Sequence, residues 1–153
     1  MPRGKLTLNV ANGDLTPINL KRVVLGGIVA AILVNLGEAL LGFLLQDDYQ
    51  AAMRARGIRL ETRPALLLPV AWSFAVGILA VWLYAAIRPR YGAGRATAVR
   101  AALAVWAFTT VTFSIAMASL TIFPVRLMVA AAAWSLAEVM VAVLVGAWLY
   151  REG

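Results

Sequence analysis

The sequence predicts an all-α integral membrane protein, a bundle of four transmembrane helices. Three observations carry that reading. Of 153 residues, 63% are hydrophobic and only 14% charged, with a mean hydropathy of +0.85. Four apolar stretches, roughly residues 23–45, 64–87, 101–120 and 124–150, each supply the ~20 residues that cross a hydrocarbon core ~30 Å thick. Most of the seven acidic and fourteen basic residues gather in short segments between and beside them, too few and too clustered to cover a soluble domain.

Residues 1–19 form a polar segment ahead of the transmembrane domain, residues 20–150. Leu6 to Val10 followed by Asn12-Gly13 has the pattern of a small hairpin, but it is too short to hold one alone. The first apolar stretch is too long and too far from the start for a signal peptide, so it is expected to remain as a span. Residues 47–57 read as a short surface helix that begins near Asp47, stops at Gly57 and carries Tyr49 and Met53 on one side. Proline marks the span edges at Thr16-Pro17, Arg63-Pro64, Arg88-Pro89 and Phe123-Pro124.

With four spans, both termini share a side with the loop joining spans two and three. That side holds nine Lys or Arg (Arg3, Lys5, Lys21, Arg22, Arg88, Arg90, Arg95, Arg100 and Arg151) against five on the other (Arg54, Arg56, Arg59, Arg63 and Arg126). The excess predicts cytoplasmic termini. The Ala- and Arg-rich composition points to a bacterial cytoplasmic (inner) membrane. Lys21, Arg22, Arg88, Arg90 and Arg95 are candidates for contact with anionic lipid headgroups, although orientation alone accounts for them.

The chain has neither Cys nor His. Thiolate nucleophiles, Ser-His triads, and His or Cys metal and haem sites are therefore excluded. The Gly92-x-Gly94 loop has no preceding strand and no third glycine, so it is not a dinucleotide loop. The positive charge forms no nucleic-acid face. No cofactor or metal is expected, and no enzymatic activity.

Two acids fall inside spans, Glu38 and Glu138, and both are expected near mid-membrane, where an ionised acid costs about 2.5–3.5 kcal/mol. Each lies in a stripe of small and polar residues on one helix face. Gly27, Ala31, Asn35, Glu38 and Gly42 form the first, and Ala131, Ser135, Glu138, Ala142 and Gly146 the second. Small residues let backbones approach and polar ones bond across the contact, so both stripes predict helix-packing seams. The stripes share an order: Asn35-Leu36-Gly37-Glu38 against Ser135-Leu136-Ala137-Glu138. Antiparallel packing of spans one and four would bring the two carboxyls to one level, where they cannot both carry charge cheaply. The hydroxyls of span three (Thr109, Thr110, Thr112, Ser114 and Ser119) are expected to bond back to their own helix.

The run Leu20-Lys21-Arg22-Val23-Val24-Leu25-Gly26-Gly27, leading into Asn35 and Glu38, resembles the opening span of small uncharacterised bacterial four-span membrane proteins, which implies the fold and no function. A carboxyl in the first of four spans is also similar to the small multidrug resistance transporters, whose first-helix carboxylate exchanges protons for cationic drugs. This chain departs from that family in its length, in the large charged loop after span one, and in Glu138.

The leading expectation is a structural or partner-binding bundle. The alternative is a small proton- or cation-coupled transporter using Glu38 and Glu138, flanked by Asn35 and Ser135. Expected partners are membrane lipid and a second copy or another membrane protein.

Overall fold

The computed structural model describes residues 18–58 and 64–150, with side chains in the second segment from residue 67. The hairpin pattern of residues 6–13 and the charges Arg3, Lys5, Arg59, Glu61, Arg63 and Arg151 lie outside the described residues. The architecture is helical: α1 (Leu20–Leu44), α2 (Gln46–Ala55), α3 (Pro64–Tyr91), α4 (Arg95–Trp106), a π-helical turn (Ala107–Val111), α5 (Thr112–Ser119) and α6 (Val125–Leu149). Four helical units are long and apolar enough to cross a membrane: α1, α3, the continuous run from α4 through α5, and α6. The chain is a multi-pass membrane protein by that criterion. Helices suit lipid because each satisfies its own backbone hydrogen bonds where no water is available to do so.

The spans run slightly differently from the sequence expectation. The second continues through Pro89 to Tyr91, and the third begins at Arg95 rather than near residue 101. The short connection explains both shifts. Gly92 and Gly94 take positive φ angles of 81° and 129°, turning the chain within three residues, and the Thr97 hydroxyl donates to the carbonyls of Gly92 (2.7 Å) and Tyr91 (3.3 Å). The short helix α2 forms as expected, ends at Ala55, and is followed by Gly57 at φ 66°.

The helices stand in a ring, α1 against α3 and α6, and α4 against the same two, with α3 and α6 also touching across the middle. The core gathers in the half nearest the chain termini, here the termini end. Val23, Ala30, Val81, Tyr84, Ala98, Ala101, Ala102, Val143 and Ala147 are buried there, whereas no residue of the π turn or α5 is buried. Toward the opposite, connector end burial thins to a few residues, among them Leu41, Ser73, Leu127 and Met128.

Residue size explains the asymmetry. At the termini end, Gly26 faces the Gly146 backbone and Gly27 faces Ile78, so close that a Cβ on either would stand 2.5 Å from a backbone atom of the other helix. Gly77 returns the contact against Gly27 and Ala31. Such approach maximises dispersion contact, which must replace the hydrophobic drive missing in lipid. Two tyrosines seal this end. Tyr84 and Tyr150 meet edge to face at 6.0 Å, and their hydroxyls accept from the backbone amides of Gly94 and Asn19. The bundle exterior is apolar, with Phe108, Leu68, Trp148 and Phe43 all more than 70% exposed to the surroundings that lipid fills.

Of the first stripe, Gly27 and Ala31 pack as a seam, but no described residue lies within 4 Å of a Cβ placed at Gly42. Among the described residues the expected seam therefore stops short of Gly42, which is exposed. In the second stripe Ser135, Ala142 and Gly146 are buried and Ala131 is half-buried. Gly27→Val should consequently cost about 1–3 kcal/mol, while Gly42→Ala should be neutral or stabilising by up to about 1 kcal/mol. Unfolding of both variants by sodium dodecyl sulfate titration from mild micelles measures the contrast.

Candidate functional site

Four polar residues stand out within the spans, and two of them serve as ties between helices. Asn35 donates from Nδ2 to the Ala31 carbonyl one turn back (2.8 Å) and to Ser73 Oγ on α3. Ser73 in turn donates to the Val70 carbonyl (2.7 Å). Ser135 shares a 2.8 Å hydroxyl contact with Thr110 of the π turn. Of the remaining hydroxyls, Thr109, Thr112 and Ser119 bond back to carbonyls of their own helix. These groups are satisfied within the fold.

The two glutamates differ. Glu138 lies at the middle of α6, and its Oε2 accepts from Trp134 Nε1 one turn earlier (3.0 Å), whereas its buried Oε1 has no hydrogen-bond partner among the described residues. Its side chain lies on Gly37 of α1, so closely that any Cβ there would collide with the carboxyl. Gly37 is thus the notch that admits Glu138 into the α1 seam. Glu38, the next residue, is exposed on the bundle surface and makes no hydrogen bond among the described residues.

Glu38 lies in the connector half of α1 and not at the middle of the helix. It lies six residues before the end of α1, about 9 Å from the connector end. On the register set by Gly26 against Gly146, the Glu138 backbone sits about one turn deeper. Antiparallel geometry closes much of that offset, because side chains lean toward the N-terminus of their own helix. Glu138 leans toward the connector end and Glu38 away from it, and the two carboxyls come within electrostatic reach of each other.

Above them runs α2, which crosses from α1 to the turn between α5 and α6. Tyr49 packs edge to face on Phe123 at 5.5 Å, Arg56 donates to Thr121 Oγ1 (3.2 Å), and Arg126 pairs with Asp48 at 3.5 Å. Tyr49 reaches back toward Glu38: burial first, and then the Glu38 charge, push its hydroxyl above the ordinary tyrosine value. Among the described residues no third acidic side chain joins the two carboxyls to form a candidate metal site. Such a pair can take a proton, a cation or a hydrogen-bond donor.

Of the expected lipid-contact residues, Lys21, Arg22, Arg90 and Arg95 are exposed at the termini end. Arg88 is half-buried, with its guanidinium 5.8 Å above the Tyr150 ring, and belongs to the internal packing of that end.

Sequence reasoning missed Gly37, Trp134 and Tyr49 as parts of the site. Trp134 stands at the helical i−4 position from Glu138, a spacing that could have found it. Gly37 was visible only as a small residue in a pattern, and Tyr49 depends on how α2 folds back. No protein-family model matches the chain, and neither a curated protein nor a solved structure is significantly similar to it.

The Tyr49–Glu38 proximity has a spectroscopic consequence. Tyr49 should titrate above ordinary tyrosine in an ultraviolet absorbance titration, read as the difference from Tyr49→Phe. Glu38→Gln removes the lesser of the two causes, so it should lower the Tyr49 value in part while burial holds it above ordinary. An unchanged titration would separate the two groups.

Proposed function

We propose that the protein is a partner-binding membrane bundle, in which the closed termini half is a scaffold and the connector half of α1 is the docking face. The observation that carries this reading is Glu38, exposed and without a hydrogen bond among the described residues, in the connector half of α1, with Gly42 exposed one turn further along the same helix face. Apolar exposure alone is what lipid requires, but an acid in that setting costs about 2.5–3.5 kcal/mol if it stays ionised and uncovered. A transmembrane helix presenting a hydrogen-bond donor or a cation opposite Glu38 removes that cost and gives the contact its register. The Ala- and Arg-rich composition supports a bacterial inner membrane, and the Lys and Arg count supports a cytoplasmic termini end. No catalytic role is assigned to any residue.

The cysteine-free sequence makes the test direct. With single cysteines at Gly42 or Leu45, on the Glu38 side of α1, disulfide or bifunctional cross-linking in native membranes should yield one discrete adduct. Glu38→Gln should preserve that adduct, since the amide still hydrogen-bonds, and Glu38→Leu should reduce it by about tenfold, corresponding to ~1.4 kcal/mol. Undiminished cross-linking in Glu38→Leu would end the docking reading.

A second reading is favoured by the unused Oε1 of Glu138 beside Glu38: a small carrier in which the pair exchanges a proton for a cation. In proteoliposomes with an imposed pH gradient, that mechanism requires uptake of a lipophilic cation that both Glu138→Gln and Glu38→Gln abolish, because an amide cannot exchange the proton. Uptake absent from the unaltered protein, or surviving Glu138→Gln, would remove it.

A further inference from the structure

The third span changes character at the π turn. Before it, α4 lies tightly on α6 through Ala98, Ala101, Ala102 and Val105; after it, α5 contributes no buried residue. A π turn holds an extra residue in the helical ladder and rotates the downstream residues out of register. Past this point the two helices separate, leaving an apolar groove of about 470 Å³ between α5 and α6, lined by Ser114, Ala118, Met128, Ala132 and Leu136 among others. Trp106 closes its inner end, where Nε1 donates across the seam to the Ala132 carbonyl (3.0 Å).

At the connector end the groove continues past Ala118 and Val125, which it shares with a second cleft of about 290 Å³. The roof of that cleft is the alanine side of α2, Ala52 and Ala55, and Arg56 stands in its lining. The Arg56 guanidinium is held in place by its bond to Thr121, a β-branched residue with a φ of 51°, where such residues are rare. Arg126 lies at the same end, paired with Asp48 on α2.

Length and charge together define an occupant. From Val125 to Leu136 the groove follows α6 for about 16 Å, the depth of one leaflet of a ~30 Å hydrocarbon core. It is apolar along its length, ends against a tryptophan, and opens at the interfacial level beside an arginine. We propose that this seam binds an anionic phospholipid of the connector-side leaflet, with one acyl chain in the groove between α5 and α6 and the headgroup phosphate on Arg56. The site is independent of the Glu38 face and lies at the opposite end from Lys21, Arg22, Arg90 and Arg95. Phosphate suits Arg56 because a guanidinium offers paired donors to its oxygens.

The test uses the full chain in phosphatidylcholine nanodiscs containing a trace of phosphatidylglycerol or phosphatidylcholine with a diazirine on one acyl chain. Photolabelling is mapped by peptide mass spectrometry. The expected result is preferential labelling of α5 and α6 by the anionic probe. Arg56→Gln should lower that labelling about fivefold, the effect of one interfacial cation on an anionic lipid. Ala118→Phe, at the narrow junction of groove and cleft, should abolish it, while Ala116→Phe on the exposed face of the same helix should not. Arg56 is exposed, so its variant keeps the fold even if Ala118→Phe does not. Equal labelling by the two probes, or labelling that survives Arg56→Gln unchanged, would overturn the proposal. So would competition by free inorganic phosphate, which would make the headgroup the whole ligand. A change of oligomeric state in Ala118→Phe with lipid labelling intact would assign the groove to a second copy instead.

Discussion

Close contact of bare backbone between α1 and its two neighbours sets the register on which the remaining structure depends. Gly26 against Gly146 and Gly27 against Gly77 and Ile78 allow no side chain between the helices. In lipid, where apolar burial gives little advantage, this density of dispersion contact is the main source of specific association. Once those four glycines are paired, the levels of all other groups on α1, α3 and α6 are set by the helical rise. Asn35 meets Ser73, and Glu138 meets Gly37, because both distances are counted from the same seam.

The polar groups within the spans then separate into two kinds. Asn35, Ser73, Thr110 and Ser135 find one another or a carbonyl and become ties that fix helix rotation, each worth about 1 kcal/mol in such settings. Glu138 is only half satisfied, and Glu38 has no bonded partner among the described residues. A buried carboxyl oxygen without a donor costs about 1–3 kcal/mol, a stability loss that functional sites commonly carry. The unsatisfied capacity lies in the half of the bundle where packing is loosest, and that coincidence makes the carboxyl pair a site where the other polar groups are architecture.

The connector end differs from the termini end in its physics. At the termini end, small residues, two tyrosines and a short glycine turn hold the helices together. At the connector end, the π turn sends α5 away from α6, and α2 spans the opening through one aromatic contact, one hydroxyl bond and one exposed ion pair. Exposed ion pairs contribute about 0–1 kcal/mol. The strap is thus weakly held relative to the scaffold beneath it, which is consistent with binding surfaces being placed around it.

Much of this was legible in the sequence. Hydropathy and length determined the four spans, because crossing a hydrocarbon core demands uninterrupted apolar helix whatever the neighbours do. Helical spacing identified Gly27, Ala31, Ala142 and Gly146 as packing residues and singled out Glu38 and Glu138, because an acid within a span stands out against its surroundings. Only the tertiary structure decided that the first stripe ceases to pack before Gly42, that Glu38 stays exposed while Glu138 settles on Gly37, and that Tyr49 returns over the pair. Those outcomes depend on how the helices pair along their length, tightly at the glycine seams and loosely past the π turn, where α5 buries no residue. A residue pattern read along one helix records its own faces. What meets each face is set by register between helices, and that register is a property of the assembled bundle.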